Sequence, residues 1–93
     1  MAKLTGNLKI TAHPATETEK AHFELVFVPY AGRLNTKVVK VSSHDDLVSL
    51  LIDLKLDEDD ASKWAGRARA QGVVLIASFE RADSLLKENG LLA

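Results

Sequence analysis

Residues 42–79 read SSHDDLVSLLIDLKLDEDDASKWAGRARAQGVVLIASF, and this stretch decides the fold because its hydrophobic period changes along it. Its first part predicts a helix, since leucines recur at helical spacing at Leu47, Leu50, Leu51 and Leu54. Ser42 and Ser43 precede Asp45 and Asp46, a pattern typical of a capped helix start. The run 73–79 is apolar except for Ser78 and predicts a strand covered on both faces, at the centre of the sheet.

The middle of this stretch predicts a second helix. Asp57 is a good N-cap, and three acidic residues follow it in the first turn. Gly72 suits the left-handed residue that ends a helix. The inner stripe is small except for one tryptophan and consists of Ala61, Trp64, Ala65 and Ala68.

The apolar face of the first helix is unusually broad. Val48 and Ile52 widen the leucine stripe to about 200°, twice the width that one flat neighbour covers. The segment 47–54 must therefore touch two surfaces, either the sheet and the second helix or the sheet and another chain. The second alternative predicts self-association or a protein partner.

Residues 7–12 and 22–28 alternate with a period of two, and residues 36–41 are rich in β-branched side chains, so we predict three antiparallel strands before this stretch. Ala82, Leu85 and Leu86 predict a short last helix, and Gly90 would end it with Leu91 folding back on Leu86. We therefore predict one α+β domain over residues 1–93. A small sheet of about four strands carries the helices, in the order βββααβα.

Composition narrows the classes of function. The chain has 12 Lys and Arg against 13 Asp and Glu, so no general attraction to nucleic acid or anionic membrane is expected. It has no cysteine, which excludes disulfides and thiolate metal sites. No apolar run is long enough for a signal peptide or a membrane span, and we expect a cytoplasmic protein without a membrane partner.

The histidines are His13, His22 and His44, and none has the tight spacing of a zinc motif. If the first two strands form a hairpin, His13 and His22 would meet and Glu24 would complete a set of three ligands. We prefer to interpret the first two as exposed strand-end side chains and predict no metal, while keeping a small-ligand or metal site as an alternative. His44 stands beside the helix cap and needs no further role.

Two groups of residues could bind a macromolecule. Tyr30 and Arg33 lie in a predicted wide loop, and both residue types anchor protein interfaces. Lys63, Arg67 and Arg69 on the second helix could contact phosphates, although the acidic start of that helix opposes DNA binding.

Motifs for catalysis are missing from the sequence. It has no glycine-rich phosphate loop, no Gly-x-Ser-x-Gly elbow and no dinucleotide fingerprint. We therefore predict no catalytic residues, no cofactor and no enzyme. The sequence does not specify a biochemical role, and the leading hypothesis is a non-catalytic interaction or regulatory module such as an adaptor, inhibitor or subunit. The alternatives are nucleic-acid binding and the site formed by His13, His22 and Glu24.

Overall fold

The computed structural model of the chain describes residues 3–32 and 35–93. The observed order of elements is the predicted βββααβα, and the class is α+β as expected. The elements are β1 (Lys3–His13), β2 (His22–Pro29), β3 (Val39–Val41), α1 (His44–Asp53), α2 (Glu58–Gln71), β4 (Val73–Ala82) and α3 (Asp83–Glu88).

The four strands form one sheet in the order β3-β2-β1-β4. All neighbouring strands are antiparallel. The prediction that the Val73 strand is central is wrong, because β4 has β1 as its one neighbour among the described strands and forms an edge of the sheet. Its apolar run does not have two covered faces: Val74 is 7% exposed, whereas Val73 and Leu75 are 46% and 50% exposed.

The helices cover one face of the sheet. Buried side chains on that face alternate with outward ones and come from every second residue of β1 and β2, namely Leu8, Ile10, Phe23, Leu25 and Phe27. These side chains share one hydrophobic core with the leucines and alanines of the helices. The opposite face of the sheet stays open.

The broad face of α1 is divided between the sheet side and α2. Leu47, Leu51 and Leu54 are fully buried in the common core, and Val48 and Leu50 pack partly buried against it. The exception is Ile52, which is 40% exposed. Of the two predicted arrangements, the structure shows α1 between the sheet and the second helix.

The predicted helix ends are present. Ser43 accepts a hydrogen bond from the Asp46 amide, and Asp57 accepts one from the Asp60 amide. Gly72 and Gly90 have φ values of 86° and 80°, in the left-handed region. The Leu91 amide donates to the Leu86 carbonyl, which is the predicted fold-back after α3.

The third strand is shorter than the predicted 36–41. Thr36 forms an isolated antiparallel bridge with Leu92, and the Lys37 amide donates to the Leu91 carbonyl. This segment therefore pairs with the carboxyl-terminal residues, and only Val39–Val41 joins the sheet. Among the described residues, no helix is long and apolar enough to cross a membrane.

Candidate functional site

The β1–β2 pairing brings three potential ligands together at one end of the open face. His13 lies opposite His22 in the register, and Glu24 is opposite Thr11, one step of two residues along the same face. Ala12 and Phe23 are the chain neighbours of His13 and His22. Because side chains alternate along a strand, these two point to the other face of the sheet, towards the helices. The hairpin expected from sequence therefore places His13, His22 and Glu24 in a single group, which we call the His-Glu cluster.

One carboxylate oxygen of Glu24 faces both imidazoles. Glu24 Oε1 lies 3.2 Å from His13 Nε2 and 3.2 Å from His22 Nε2. The two rings are stacked, with centroids 4.8 Å apart and an interplanar angle of 15°. The cluster is partly enclosed, since the His22 side chain is 14% exposed and that of Glu24 is 26% exposed.

The backbone fixes the protonation of the His22 ring. His22 Nδ1 lies 3.0 Å from the Lys20 carbonyl oxygen, which can only accept a hydrogen bond. Nδ1 therefore carries a proton, and in the neutral ring the lone pair of Nε2 points towards Glu24. Two lone pairs facing each other repel, so this arrangement calls for a cation between nitrogen and oxygen, either a proton or a metal ion.

The electrostatics agree with this geometry. The hydrogen bond to the Lys20 carbonyl raises the pKa of His22 above its usual value of 6.5, and Glu24 raises it further. The hydrogen bond from His22 lowers the pKa of Glu24 below its usual value of 4.5. Lys40, opposite Glu24 on β3, lowers both pKa values by its charge. The group therefore holds a carboxylate together with a readily protonated imidazole.

The same distances suit a metal ion. Tetrahedral ligands bound at about 2.0–2.1 Å lie about 3.3 Å from one another, close to the 3.2 Å seen between Glu24 Oε1 and each Nε2. All three ligand atoms lie within 4.8 Å of one another. The stacked rings must tilt for both lone pairs to converge on one ion, and rotation about the imidazole χ2 is soft.

A cavity of about 670 Å³ opens beside the cluster, on the helix side of the sheet end. Its walls come from three places: the facing ends of β1 and β2, the residues that begin α1, and the last turn of α2. His13 and His22 belong both to this wall and to the His-Glu cluster. His44 lines the cavity with a buried Nδ1 that has no hydrogen-bond partner among the described residues.

The three cations of α2 have different surroundings. Lys63 and Arg67 lie over the Trp64 ring, with their charged groups 5.9 Å and 5.2 Å from its centroid. Arg69 instead lines the cavity. It forms no hydrogen bond or ion pair with the described part of the chain. The proposed phosphate contact through all three cations is untested, and two of them have a structural partner.

Tyr30 has a structural role at the end of β2. Its hydroxyl donates to Asn7 Oδ1 at 2.7 Å and accepts from the Ser78 amide at 2.8 Å. It thus joins the end of β2 to β1 and to a left-handed residue in β4, since Ser78 has a φ of 54°. The residue as a whole is still 55% exposed. Arg33, the other predicted interface residue, lies outside the described residues, and the partner-binding prediction stays untested.

Sequence reasoning did not identify Arg81 and Ser78, two residues that join neighbouring elements of the fold. Arg81 donates through Nε to the Leu54 carbonyl at 2.6 Å and lies over the Phe79 ring at 4.3 Å, so it satisfies the end of α1. For His44, the sequence predicts no role beyond its place beside the helix cap, whereas in the structure it lines the cavity. The available signal for Ser78 was its position as the single polar residue in the apolar run 73–79.

Comparisons with known proteins give no relative from which a role could be transferred: no family model, curated protein or solved structure matches the chain.

Proposed function

We propose that this domain binds a divalent transition-metal ion at the His-Glu cluster. The observation that carries the proposal is the placement of two Nε2 atoms at 3.2 Å from one oxygen of Glu24, in a group that a cation stabilises. The Lys20 carbonyl supplies the backbone contact that typically orients a metal-bound histidine. These three residues are the metal or small-ligand alternative that the sequence allows.

The ligand types indicate which metals fit. Two imidazoles and one carboxylate suit zinc and its neighbours in the first transition row, whereas magnesium and calcium prefer oxygen ligands alone. Three protein ligands leave at least one position open for water or for a group from another molecule. The proposal is therefore one of metal binding, and it assigns no reaction to the site.

Calorimetric titration of the metal-free protein with zinc tests this proposal. We expect one ion per chain, and we expect Glu24→Gln to weaken binding at least about tenfold, as losing an inner ligand or its partner does. Glu17→Gln is the matched control, since Glu17 is an exposed acid in the β1–β2 loop outside the cluster. Unchanged zinc affinity in Glu24→Gln, or no binding by the parent protein, would rule out the site.

A second candidate function, protein association, is favoured by the free edge of β4. The Ala12 amide donates to the Gly72 carbonyl. Every second residue of a strand directs its backbone N–H and C=O to the same side, so those of Val74 and Ile76 also point towards β1. Val73, Leu75 and Ala77 then direct their backbone groups outwards. No charged side chain interrupts this edge between Val73 and Phe79, although natural edge strands are usually guarded by charges or proline.

We propose that this edge pairs with the same edge of a second copy of the chain, in antiparallel orientation across a two-fold axis. Because the exposed strip is uncharged, two copies bring no like charges together and form a continuous sheet. Light scattering during size-exclusion chromatography should show a concentration-dependent dimer that Leu75→Lys abolishes. Val38→Lys, at an exposed valine just before β3, is the control that should leave the dimer intact. A strict monomer at millimolar concentration would exclude this mode of association.

The remaining expectations stay predictions. Ile52 offers little apolar area for association through α1, because the other apolar side chains of that helix pack in the core. A regulatory or adaptor role, an interface at Tyr30 and Arg33, nucleic-acid binding through Lys63, Arg67 and Arg69, and a cytoplasmic location are all predictions from the sequence alone.

A further inference from the structure

The cavity beside the His-Glu cluster has the properties of a small-molecule site. Its volume of about 670 Å³ falls in the range of roughly 300–1,000 Å³ that is usual for ligand pockets. Small or apolar side chains contribute much of its wall, including Ala12, Phe23 and Ala70. A few polar groups stand among them, as in sites that hold an apolar ligand in one orientation.

Arg69 is the charge that such a ligand would meet. The other two cations of α2, Lys63 and Arg67, lie over Trp64, and Arg81 of β4 lies over Phe79 and donates to backbone carbonyls. Arg69 lines the cavity and has no partner among the described residues. A free guanidinium beside an apolar surface favours a planar anion, which it can bind with two parallel hydrogen bonds.

His44 supplies a second, independent indication. Its Nδ1 is buried without a hydrogen-bond partner in the described part of the chain, although buried polar atoms are nearly always satisfied. His44 lines the same cavity as Arg69, and so do the hydroxyl-bearing Ser42 and Ser43. A modest rotation of its ring would present Nδ1 to an acceptor held in the cavity.

We propose that this cavity binds a small organic carboxylate, with its apolar body on Phe23 and the neighbouring alanines and its carboxylate paired with Arg69 and His44. One guanidinium and one imidazole match a single negative charge better than the double charge of a phosphate monoester. His13 and His22 belong to both sites, but the proposed contacts to the carboxylate come from Arg69 and His44, and Glu24 does not line the cavity. These contacts do not require a metal ion.

A titration of the metal-free protein followed by amide NMR tests this inference. Hexanoate is the probe, and hexan-1-ol has the same chain without the charge. We expect saturable shifts at residues 42–44 and 69–72 with hexanoate, and binding of hexanol weaker by at least about tenfold, the usual effect of losing a charge-assisted hydrogen bond.

Variants of Arg69 and Glu24 test whether Arg69 binds the carboxylate and whether the cavity acts independently of the metal site. Arg69→Gln should weaken hexanoate binding at least about tenfold, whereas Arg67→Gln, on the same helix beside Trp64, should not change it. Glu24→Gln should weaken zinc binding at least about tenfold and leave hexanoate binding intact, which separates this proposal from that of the metal site. Equal affinity for hexanoate and hexanol, unchanged binding by Arg69→Gln, or no saturable shift would overturn it.

Discussion

At the scale of single residues, a few polar side chains set the chemistry of the sheet end. The Glu24 carboxylate is shared by two imidazoles, and the Lys20 carbonyl fixes which nitrogen of His22 faces it. The contact needs a cation in the shared position. In metal-free protein that cation is a proton, so the cluster should respond to pH as well as to metal.

The cluster predicts a window of pH in which it stabilises the fold. The pKa of His22 is raised, so its contribution is complete below the unfolded pKa near 6.5 and is lost as pH rises through the folded pKa. The pKa of Glu24 is lowered, so its contribution is complete above about 4.5 and is lost as pH falls through the folded pKa. Both contributions are complete between these values.

We therefore expect the free energy of unfolding of the metal-free protein to exceed that of Glu24→Gln most between pH 4.5 and 6.5. Urea unfolding of both proteins across pH 3 to 9 measures the difference, and an NMR titration should show a lower pKa for His22 in the variant. A difference in stability that does not change with pH would contradict the assignment.

The Tyr30 hydroxyl provides a second residue-scale prediction. Tyr30→Phe removes its bonds to Asn7 and to the Ser78 amide while keeping the ring. We expect a loss of about 1 kcal/mol in unfolding free energy, the usual value for hydrogen bonds that water partly replaces. Amide exchange at Ser78 should also be faster. Unchanged exchange there would show that the hydroxyl does not hold the β4 irregularity.

At the scale of elements, close backbone approach and helix ends determine which substitutions the chain tolerates. Gly6 faces Pro29 across β1 and β2, beside the register shift between Gly6 and Leu8 in the pairing with β4. A Cβ at this position would overlap the Val28 carbonyl oxygen and lie 2.8 Å from the Pro29 Cα. Both obstacles are backbone atoms, so a side chain cannot move aside to relieve them.

Two glycine substitutions should therefore have opposite effects. Gly6→Ala should lower the unfolding free energy by about 3 kcal/mol or more through the overlap. Gly66→Ala lies inside α2 with nothing within 4 Å of the added Cβ, and it should raise stability by about 0.5–1 kcal/mol. Chemical unfolding measures both changes. A tolerated Gly6→Ala would contradict the observed strand spacing.

The end of α1 predicts a stabilising substitution. Lys55 has a φ of 70°, and the Leu56 amide donates to the Leu51 carbonyl in the arrangement that glycine usually completes. Lys55→Gly should therefore raise the unfolding free energy by up to about 1 kcal/mol. Gly72→Ala, at a φ of 86°, is the converse control and should lower it. Destabilisation by Lys55→Gly would show that this strain is absent.

At the scale of the whole molecule, local patterns predicted more than long-range order. The period of two and the break at His13 and Pro14 were sufficient to place His13, His22 and Glu24 together, because a hairpin joins strands that are adjacent in sequence. The edge position of β4 was not predictable in this way. Its pairing with β1 depends on competition between strands that are distant in the sequence. An apolar run also has the same sequence pattern in an edge strand as in a central strand of a sheet.

The cavity and the surroundings of Arg69 depend on the same long-range arrangement. They arise where the end of α2, the start of α1 and the β1–β2 hairpin meet. The hydrophobic periodicity of the sequence does not indicate which elements meet in space. The breadth of the apolar face of α1, by contrast, correctly indicated two neighbours. It could not indicate whether the second neighbour was α2 or another chain.

Metal binding should change the stability of the whole molecule. An ion that binds only the folded chain adds about 1.4 kcal/mol to the unfolding free energy for each tenfold excess over its dissociation constant. Thermal unfolding in increasing zinc should therefore shift steadily upwards, and a chelator should reverse the shift. His22→Ala should remove it, whereas His44→Ala, at a histidine outside the cluster, should retain it. A shift that survives in His22→Ala would assign the ion to another site.

The most direct test of the metal site is a nitrogen-15 NMR spectrum of the histidine rings, recorded as one equivalent of zinc is added to metal-free protein. The His-Glu cluster predicts that the Nε2 resonances of His13 and His22 move together and stop at one equivalent. Nδ1 of His22 should stay protonated against the Lys20 carbonyl, and the ring of His44 should not change. If neither Nε2 moves, or if only one of the two rings responds, the shared metal site does not exist.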